Sequence, residues 1–385
     1  MPTTWSTISG RTKRHPTATA CIGDFRYFHK GSADPNVVLL DPDVSLYCLD
    51  HLERRAIFVR TAGYDLNAAP FFYQAQFEAA RELIAVPYET LHQLAASGIY
   101  DQSRAILLYS MGRCGSTLVL RALAQASRVA AISEPDVFTQ LVYLRNSSAN
   151  DAGEIDRVAR SCLRVMCGSL LNRRSVAWCA IKFRGSVVGL WEILHAESPR
   201  SKVVFLYRAP QEWAESVLRS SEMLHPALLN YTLEFQQLVF SLFPYGQRKD
   251  PDLTRLRPPE EVLARFWCYA MGCYTARLAD GAPIYASSYE ELESNPSAIL
   301  LALYLHCGIT DVDPCKIGSV ILRDSQEGSS LSRVEISRRN LPARRIARER
   351  LTALISQYSA NLPGLLPFVG RAAIAAGKPL PVWPN

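Results

Sequence analysis

A short polar turn near residue 115 carries the residue types best suited to bind an anion. It consists of Gly112, Arg113, Cys114, Gly115, Ser116 and Thr117. An apolar stretch, 104–109, precedes the turn and a Leu- and Ala-rich segment follows it, so the turn joins a predicted strand to a predicted helix. Such a turn leaves backbone N–H groups unpaired in front of the positive end of the helix dipole. The sequence therefore predicts a site for phosphate or sulfate.

The spacing within this turn differs from that of the loop for nucleoside triphosphates, which reads G-x-x-x-x-G-K-[ST]. Gly112 and Gly115 stand too close together for that loop, and Ser116 occupies the position of its Lys. Arg113 supplies the cation instead, with forked donors that match an anionic group. A strand-to-helix turn that binds no ligand is the alternative that the pattern leaves open.

Three further charged residues stand at the ends of apolar stretches that have the character of strands. They are Glu134 after 129–132, Lys182 at the end of 177–182, and Arg208 after 202–207. Residues at the carboxyl ends of parallel strands lie on the ligand-binding edge of an α/β sheet. Ser216 stands eight positions after Arg208, across a Pro turn and a helical turn or two, so the guanidinium and the hydroxyl can meet on one phosphate.

These elements together resemble the sulfotransferases that use 3′-phosphoadenosine 5′-phosphosulfate. Residues 113–117 match the family's first motif, which reads Lys or Arg, a small residue, Gly and two hydroxyl residues, and which grips the 5′-phosphosulfate. Arg208 with Ser216 matches the Arg-x7-Ser element that grips the 3′-phosphate. The resemblance implies 3′-phosphoadenosine 5′-phosphosulfate as the sulfuryl donor, and it implies no metal.

Two downstream motifs extend the resemblance. Tyr289 matches the Tyr of the family's Tyr-Glu-x-Leu element, which contacts the nucleotide. The run 328–333 resembles the Ser-Leu-Ser-Lys run of tyrosylprotein sulfotransferases, which folds over the nucleotide. The residues that it adds to the expected nucleotide contacts are Ser330, Ser332 and Arg333. The resemblance covers about residues 104–345, with its motifs in the family's order.

Catalytic roles follow from the resemblance and from the chemistry of sulfuryl transfer, an in-line displacement at an anionic centre. Arg113 is expected to stabilise the leaving phosphate, and Lys182 the sulfate. Cytosolic small-molecule sulfotransferases place a catalytic His in a Lys-Thr-His element, and Arg184 stands at that position here. Other branches use a Glu after the second strand, so we expect Glu134 to be the base. A structural carboxylate paired with Arg113 or Lys182, and a merely solvated Lys182, are the alternatives.

Strand-like stretches alternate with helical ones after residue 100, which predicts an α/β protein with a parallel sheet flanked by helices. The resemblance implies that this sheet is of the phosphate-loop nucleotide-binding type. Four regions are expected: a loose N-terminus at 1–20, an accessory region at 21–100, a sulfotransferase-like domain at 101–345, and a C-terminal helix and tail at 346–385. Within the accessory region, 36–61 predicts a small β-meander and 71–97 a helix interrupted near Pro87.

Composition narrows the class of protein. The net charge is +6 over 385 residues, with basic residues dispersed until the last seventy, which argues against a dedicated nucleic-acid binder. No apolar stretch approaches the roughly twenty residues of a membrane span, and the first fourteen residues lack the apolar core of a signal peptide. The ten cysteines are scattered without C-x-x-C spacing, as in a reducing compartment. We therefore expect a cytoplasmic protein without a membrane span or a nucleic-acid partner.

The sequence does not name the acceptor. We expect a small metabolite, a carbohydrate or a lipid alcohol that receives sulfate on a hydroxyl or an amine. Two other functions stay open at this point. One is a small-molecule kinase with a phosphate loop, although the sequence shows neither its Gly-Lys pair nor an identifiable Asp for magnesium. The other is a nucleotide-binding regulator without turnover.

Overall fold

The computed structural model describes residues 2–13, 18–67, 69–98, 100–147, 151–224, 233–243, 255–327, 331–339, 346–360, 362 and 365. Within these ranges the chain forms two five-stranded sheets. Residues before 100 form an antiparallel sheet, and later residues form a parallel sheet. None of the described helices combines the length and the apolar composition needed to traverse a bilayer.

The elements are defined as follows. The strands are β1 (Thr4–Arg11), β2 (Phe25–Ser32), β3 (Val44–Asp50), β4 (Arg55–Arg60), β5 (Glu82–Pro87), β6 (Ala105–Ser110), β7 (Val129–Ser133), β8 (Trp178–Lys182), β9 (Lys202–Tyr207) and β10 (Ile284–Ser288). The α-helices are α1 (Val37–Leu40), α2 (Phe72–Ala79), α3 (Tyr88–Ser97), α4 (Ser116–Gln125), α5 (Asp136–Ser147), α6 (Ala152–Leu171), α7 (Trp191–Glu197), α8 (Pro210–Leu224), α9 (Leu233–Leu242), α10 (Pro259–Ala279), α11 (Tyr289–Ser294), α12 (Pro296–Cys307), α13 (Pro314–Leu322), α14 (Arg333–Arg339) and α15 (Arg348–Ser359). The antiparallel sheet has the order β2-β1-β5-β4-β3, and the parallel sheet has the order β10-β9-β6-β8-β7.

The parallel sheet confirms the predicted α/β fold. Its strands β6 to β9 each begin and end within one residue of a predicted stretch. Strands covered by helices on both faces are apolar throughout, and every position of β6 and β7 is buried. The chain runs from β6 to β7 on one side of the sheet and later places β9 on the other side of β6. Such a reversal of direction is the place where α/β sheets bind ligands.

Stacked aromatic rings fill the core beside the central strands. Tyr109 of β6 stacks on Trp191 of α7 with ring centroids 4.5 Å apart, and Phe205 of β9 stacks on Tyr274 of α10 at 4.5 Å. The Trp191 ring also lies 5.7 Å from Phe205. Because Tyr109 and Phe205 are paired across the sheet, the rings form one layer that joins β6 to β9. This layer stiffens the two strands whose carboxyl ends precede the predicted anion contacts.

The first hundred residues differ from the prediction in three places. Thr4–Arg11 is a strand and not a loose segment, because β1 pairs with β2 on one side and β5 on the other. Val37–Leu40 is a helical turn, so the predicted meander is reduced to the antiparallel pair β3 and β4. Glu82–Pro87 is a strand within the segment predicted as helix, because it occupies the centre of the sheet with four of its six residues buried.

We call the described residues between 2 and 98 the N-terminal layer. Many of its apolar residues share one continuous core with those around the parallel sheet, and the others form a smaller cluster within the layer. Polar contacts reinforce the junction, since Leu49 of β3 and the Gln140 side chain of α5 exchange two hydrogen bonds of 2.7 Å. The layer is therefore packed firmly on the rest of the protein. At the other end of the chain, α15 lies in the predicted C-terminal region, and most of the predicted tail lies outside the described residues.

Two buried tryptophans allow a matched test of the polar contacts in this core. Trp213 Nε1 donates to the carbonyls of Met111 at 3.2 Å and Gly112 at 3.1 Å, whereas Trp191 Nε1 has no hydrogen-bond partner within the described ranges. Replacement by Phe removes a similar volume in both cases. We expect Trp213→Phe to lower the free energy of unfolding by about 1–3 kcal/mol more than Trp191→Phe, because it also removes two hydrogen bonds to main-chain carbonyls. Urea denaturation measures the difference, and equal losses would contradict the importance of these hydrogen bonds.

Candidate functional site

The carboxyl ends of the five parallel strands meet at one cavity of about 540 Å³. Its wall includes the first residues at or past these ends: Gly112, Arg113, Gly115, Ser116 and Thr117 after β6, Glu134 after β7, Lys182 of β8, Arg208 after β9 and Tyr289 after β10. Ser216 of α8 lies on the same wall. The fold thus brings the predicted anion loop, the predicted base and the predicted 3′-phosphate contacts to one place.

The loop after β6 has a backbone shape that few residue types adopt without strain. Gly112, Arg113 and Gly115 have positive φ angles of 76°, 58° and 76°. A Cβ atom at Gly115 would lie 2.6 Å from Leu292 Cδ2, so that position also lacks room for a side chain. No side chain caps α4, which leaves the N–H groups of its first turn available for an anion.

Two side chains behind the loop hold its backbone in place. Trp213 donates to two loop carbonyls, as described above, and the Cys114 thiol donates to the carbonyl of Gly112 at 2.9 Å. Burial raises the pKa of Cys114, so the thiol stays protonated and able to donate. Cys114 is fully buried and does not line the cavity. Its predicted part in nucleotide binding is therefore limited to the shape of the loop.

Two arginines adjoin each other on the cavity wall. Arg113 Nε donates to Ser216 Oγ at 3.3 Å, and Arg208 Nη1 donates to the main-chain carbonyl of Arg113 at 3.3 Å. The Arg208 guanidinium also lies over the ring of Tyr289, 4.1 Å from its centroid. Burial lowers the pKa of Arg113, and the nearby charge of Arg208 lowers it further. The two neighbouring positive charges repel each other, and a bound anion would offset this repulsion.

Arg208 retains an unused donor at this site. Its Nε atom is buried and has no hydrogen-bond partner in the part of the chain that the structure describes. Burying an unpaired donor of a charged group is costly, and a ligand that pairs with it removes that cost. A phosphate group at the cavity wall would accept from this atom. The residues present therefore fit a phosphorylated ligand.

A buried ion network lies on the side of the cavity next to β7 and β8. Lys182 Nζ is 2.5 Å from Glu134 Oε1, and Arg184 Nε is 3.4 Å from Glu134 Oε2. Lys182 is only 3% exposed, so it is not the solvated side chain of the alternative interpretation. The pair between Glu134 and Lys182 is the one expected of a structural carboxylate. Glu134 also lies on the cavity wall, which a base requires, so the two interpretations do not exclude each other.

The charges around Glu134 determine its protonation. Burial raises the pKa of the carboxyl, but Lys182 and Arg184 together outweigh burial and leave the pKa below its ordinary value. Glu134 is therefore ionised at neutral pH, which is the state that accepts a proton. A depressed folded-state pKa also adds stability that is present above the unfolded pKa and is lost as the pH falls through the folded value.

Thr117 connects the ion network to the anion loop. Its hydroxyl oxygen accepts from Lys182 Nζ at 3.2 Å and from the Gln326 side chain at 3.0 Å. The ammonium group of Lys182 is consequently shared between the carboxylate of Glu134 and the first turn of α4. This contact places the network beside the position that an anion in the loop would occupy.

The predicted residues near 330 have different outcomes. Ser330 lies outside the described residues, and the side chain of Arg333 is likewise not described. The buried Ser332 hydroxyl accepts a hydrogen bond from the N–H of Glu335 at 3.3 Å, in the first turn of α14. The structure gives Ser332 this capping contact and not a place on the cavity wall, where its neighbour Leu331 lies.

Several cavity residues were not predicted from the sequence. Glu212 and Arg219 of α8 lie about one helical turn on either side of Ser216, so helical periodicity could have identified them. Phe71 reaches the wall from the N-terminal layer and carries no comparable signal. A second cavity, of about 420 Å³, lies between β7 and the N-terminal layer and includes none of the charged residues predicted for the site.

The sequence matches no protein-family model and no curated protein. Among solved structures, it is similar to a sulfotransferase from Alicyclobacillus acidocaldarius at 13% identity and a TM-score of 0.40, over 68% of this chain and 95% of that one. It is similar to the sulfotransferase domain from the curacin biosynthetic pathway at 15% identity and a TM-score of 0.40, over 67% and 98% of the two chains. Mouse sulfotransferase SULT7A1, solved in complex with PAP, gives 13% identity and a TM-score of 0.38 over 75% and 94%.

Proposed function

We propose that this protein transfers a sulfuryl group from 3′-phosphoadenosine 5′-phosphosulfate to a hydroxyl or amine of a small acceptor. The observation that carries the proposal is the pair Arg113 and Arg208 on one cavity wall. Neither forms a salt bridge within the described ranges, and Arg208 keeps a buried donor without a partner. A ligand with anionic groups would supply the missing charge.

The donor has two separated anionic groups, and the cavity offers two adjoining positions for them. Arg113 and the first turn of α4 suit the 5′-phosphosulfate, as the family's first motif implies. Arg208 and Ser216 suit the 3′-phosphate, with the free Nε of Arg208 as an additional donor. Tyr289 supports this position because its ring lies against the Arg208 guanidinium.

The displacement at sulfur forms one bond from sulfur to the acceptor oxygen or nitrogen and breaks the S–O bond to the 5′-phosphate. Negative charge grows on the phosphate oxygen that leaves, and Arg113 would stabilise it in a site with little water. Lys182, whose three donors are directed to Glu134, Thr117 and Ser133, would stabilise the sulfate through its positive charge. Positioning and charge stabilisation then provide most of the catalysis, as in phosphoryl transfer.

Glu134 is proposed to take the proton of the acceptor. Its lowered pKa keeps it ionised and ready, but also makes it a weak base. Proton transfer would therefore be favoured as the bond to sulfur forms, when the acceptor oxygen or nitrogen has become more acidic. The kinase alternative has no comparable support, because Ser116 occupies the position of the Lys that it needs.

The acceptor would share the cavity of about 540 Å³ with the donor, which favours a small molecule. Phe71 and Leu331 contribute apolar surface to the wall, so part of the acceptor is expected to be apolar. A cytoplasmic location belongs to the same proposal and is supported by the scattered cysteines.

Arg208→Ala tests the 3′-phosphate contact. We expect this change to weaken the binding of 3′,5′-adenosine bisphosphate by about 1.5–3 kcal/mol, because it removes charge-assisted hydrogen bonds to the ligand. Isothermal titration calorimetry measures the affinity. Arg104→Ala is the matched control, since Arg104 also donates to main-chain carbonyls, at 2.6 and 2.7 Å, but precedes β6 at the opposite edge of the sheet. An affinity of Arg208→Ala equal to that of this control would reject the assignment.

Glu134→Gln tests the base. The amide can still accept from Lys182 but cannot take a proton, so sulfate transfer in a single turnover should fall by about 10²–10⁴-fold while bisphosphate affinity changes little. Quenched-flow assays with excess enzyme, and with water or simple phenols and alcohols as acceptors, measure the transfer. Glu154→Gln is the control, because Glu154 is paired with Arg54 outside the cavity. Transfer by Glu134→Gln at the wild-type rate would exclude Glu134 as the base.

A further inference from the structure

Arg184 forms ion pairs with two carboxylates, one of which lines the cavity. Its Nε atom is 3.4 Å from Glu134 Oε2, and its Nη1 atom is 2.9 Å from Asp136 Oδ1. Its side chain is 20% exposed, and it is not among the residues on the cavity wall. Arg184 therefore contacts the proposed base without lining the cavity, so it can orient Glu134 without being a substrate contact itself.

The N-terminal layer holds Arg184 and its second partner. The Arg184 guanidinium lies over the ring of Tyr73, 4.3 Å from the centroid, and Tyr73 is 1% exposed. The main-chain N–H of Ala20 donates to Asp136 Oδ2 at 2.5 Å. Both contacts come from residues before 100, and both end on the pair that supports Glu134. Phe71, two residues before Tyr73, lies on the cavity wall itself.

We infer that Arg184 is a positioning residue for Glu134, and that the N-terminal layer belongs to the catalytic unit because Tyr73 and Ala20 fix Arg184 and Asp136. This inference rests on the proposed function, in which Glu134 is the base.

The geometry supports a role in orientation. The two oxygens of Glu134 are held by different cations, Oε1 by Lys182 and Oε2 by Arg184, so the carboxylate has little freedom to rotate. Glu134 also has a positive φ of 58°, a conformation that surrounding contacts must maintain. The planar guanidinium of Arg184 can bridge two carboxylates in a way that a Lys ammonium group cannot reproduce.

The charges support a role in protonation as well. The titratable and charged groups around Glu134 are Lys182, Arg184, Asp136, Arg113 and Tyr73. Burial is the largest influence on Glu134 and raises its pKa, so removal of one of the two cations that oppose burial should move the pKa upward. A base is inactive when protonated. The acidic limb of the rate profile should consequently move to higher pH when Arg184 is neutralised.

The test compares Arg184→Gln and Arg184→Lys with the same changes at Arg164. Arg164 is a matched control: it is 2.9 Å from Glu197, lies 5.9 Å from the ring centroid of Tyr100, and does not line the cavity. We expect Arg184→Gln to bind 3′,5′-adenosine bisphosphate within about twofold of wild type and to slow single-turnover transfer by about 10²-fold. Its acidic limb should lie at higher pH, and Arg184→Lys should recover part of the rate. The Arg164 variants should match wild type.

Infrared spectroscopy provides a readout that needs no turnover. The carboxylic acid band of Glu134, assigned by difference against Glu134→Gln, should appear at a higher pH in Arg184→Gln than in wild type. An unchanged band and an unchanged acidic limb in Arg184→Gln would overturn the inference. If wild type fails to bind the bisphosphate, the proposed function fails, while the infrared comparison still decides whether Arg184 governs Glu134.

Tyr73→Leu tests the part played by the N-terminal layer, with Tyr100→Leu as the control beside Arg164. We expect Tyr73→Leu to slow single-turnover transfer by about tenfold and to move the acidic limb in the same direction as Arg184→Gln. Tyr73→Phe keeps the ring under the guanidinium but removes the hydroxyl that hydrogen-bonds to Arg184, so its rate should fall between those of Tyr73→Leu and wild type. If Tyr73→Leu does not fold, Arg184→Lys and the infrared band still test the arrangement. A folded Tyr73→Leu with the wild-type rate and profile would overturn the assignment of the layer to the catalytic unit.

Discussion

The site is built around two arginines, Arg113 and Arg208. Neither has a carboxylate partner within the described ranges, so their positive charges are not balanced by the protein. Arg208 donates to the main chain of Arg113, and Arg113 donates to Ser216, so both cations are fixed at adjoining positions on one wall. Burial and the nearby charge of Arg208 lower the pKa of Arg113, and an anion beside the two guanidinium groups would oppose this effect. The stacked aromatic layer beside β6 and the Trp213 hydrogen bonds hold the loop after β6 in place. The proposed nucleotide, with two separate anionic groups, would place one group at each arginine.

The second half of the site is a set of charges that balance one another. Glu134 is ionised because Lys182 and Arg184 outweigh its burial, and Lys182 is shared with Thr117 in the anion loop. The proposed base and the proposed anion site are therefore connected through one ammonium group. The N-terminal layer enters this balance through Tyr73, under the guanidinium of Arg184. The sequence predicts the N-terminal layer only as an accessory region. In the structure this layer contacts Arg184, one of the two cations that keep the proposed base ionised.

The parallel sheet could be predicted from the sequence because strands buried on both faces read as continuous apolar stretches, and the residues at their carboxyl ends then share one edge. Of the antiparallel sheet, only the pair β3 and β4 could be predicted, because β1 and β5 depend on partners far away along the chain. The burial of Lys182 could not be predicted either, because no neighbouring residue in the sequence distinguishes it from a solvated Lys at the end of a strand. The sequence distinguishes Arg184 only as a departure from the family's Lys-Thr-His element. Its contacts with two carboxylates and a ring arise from three segments that meet only in the folded protein.

The most direct test of the central claim is the order of affinities for three nucleotides, measured by calorimetry on the wild-type protein. The account predicts that 3′,5′-adenosine bisphosphate binds at least about tenfold more tightly than adenosine 5′-monophosphate, because only the bisphosphate reaches Arg208 and Ser216 with a charged group. It also predicts that the bisphosphate binds without magnesium and more tightly than ATP with magnesium. Equal affinities for the bisphosphate and the monophosphate, or a preference for ATP with magnesium, would contradict the account.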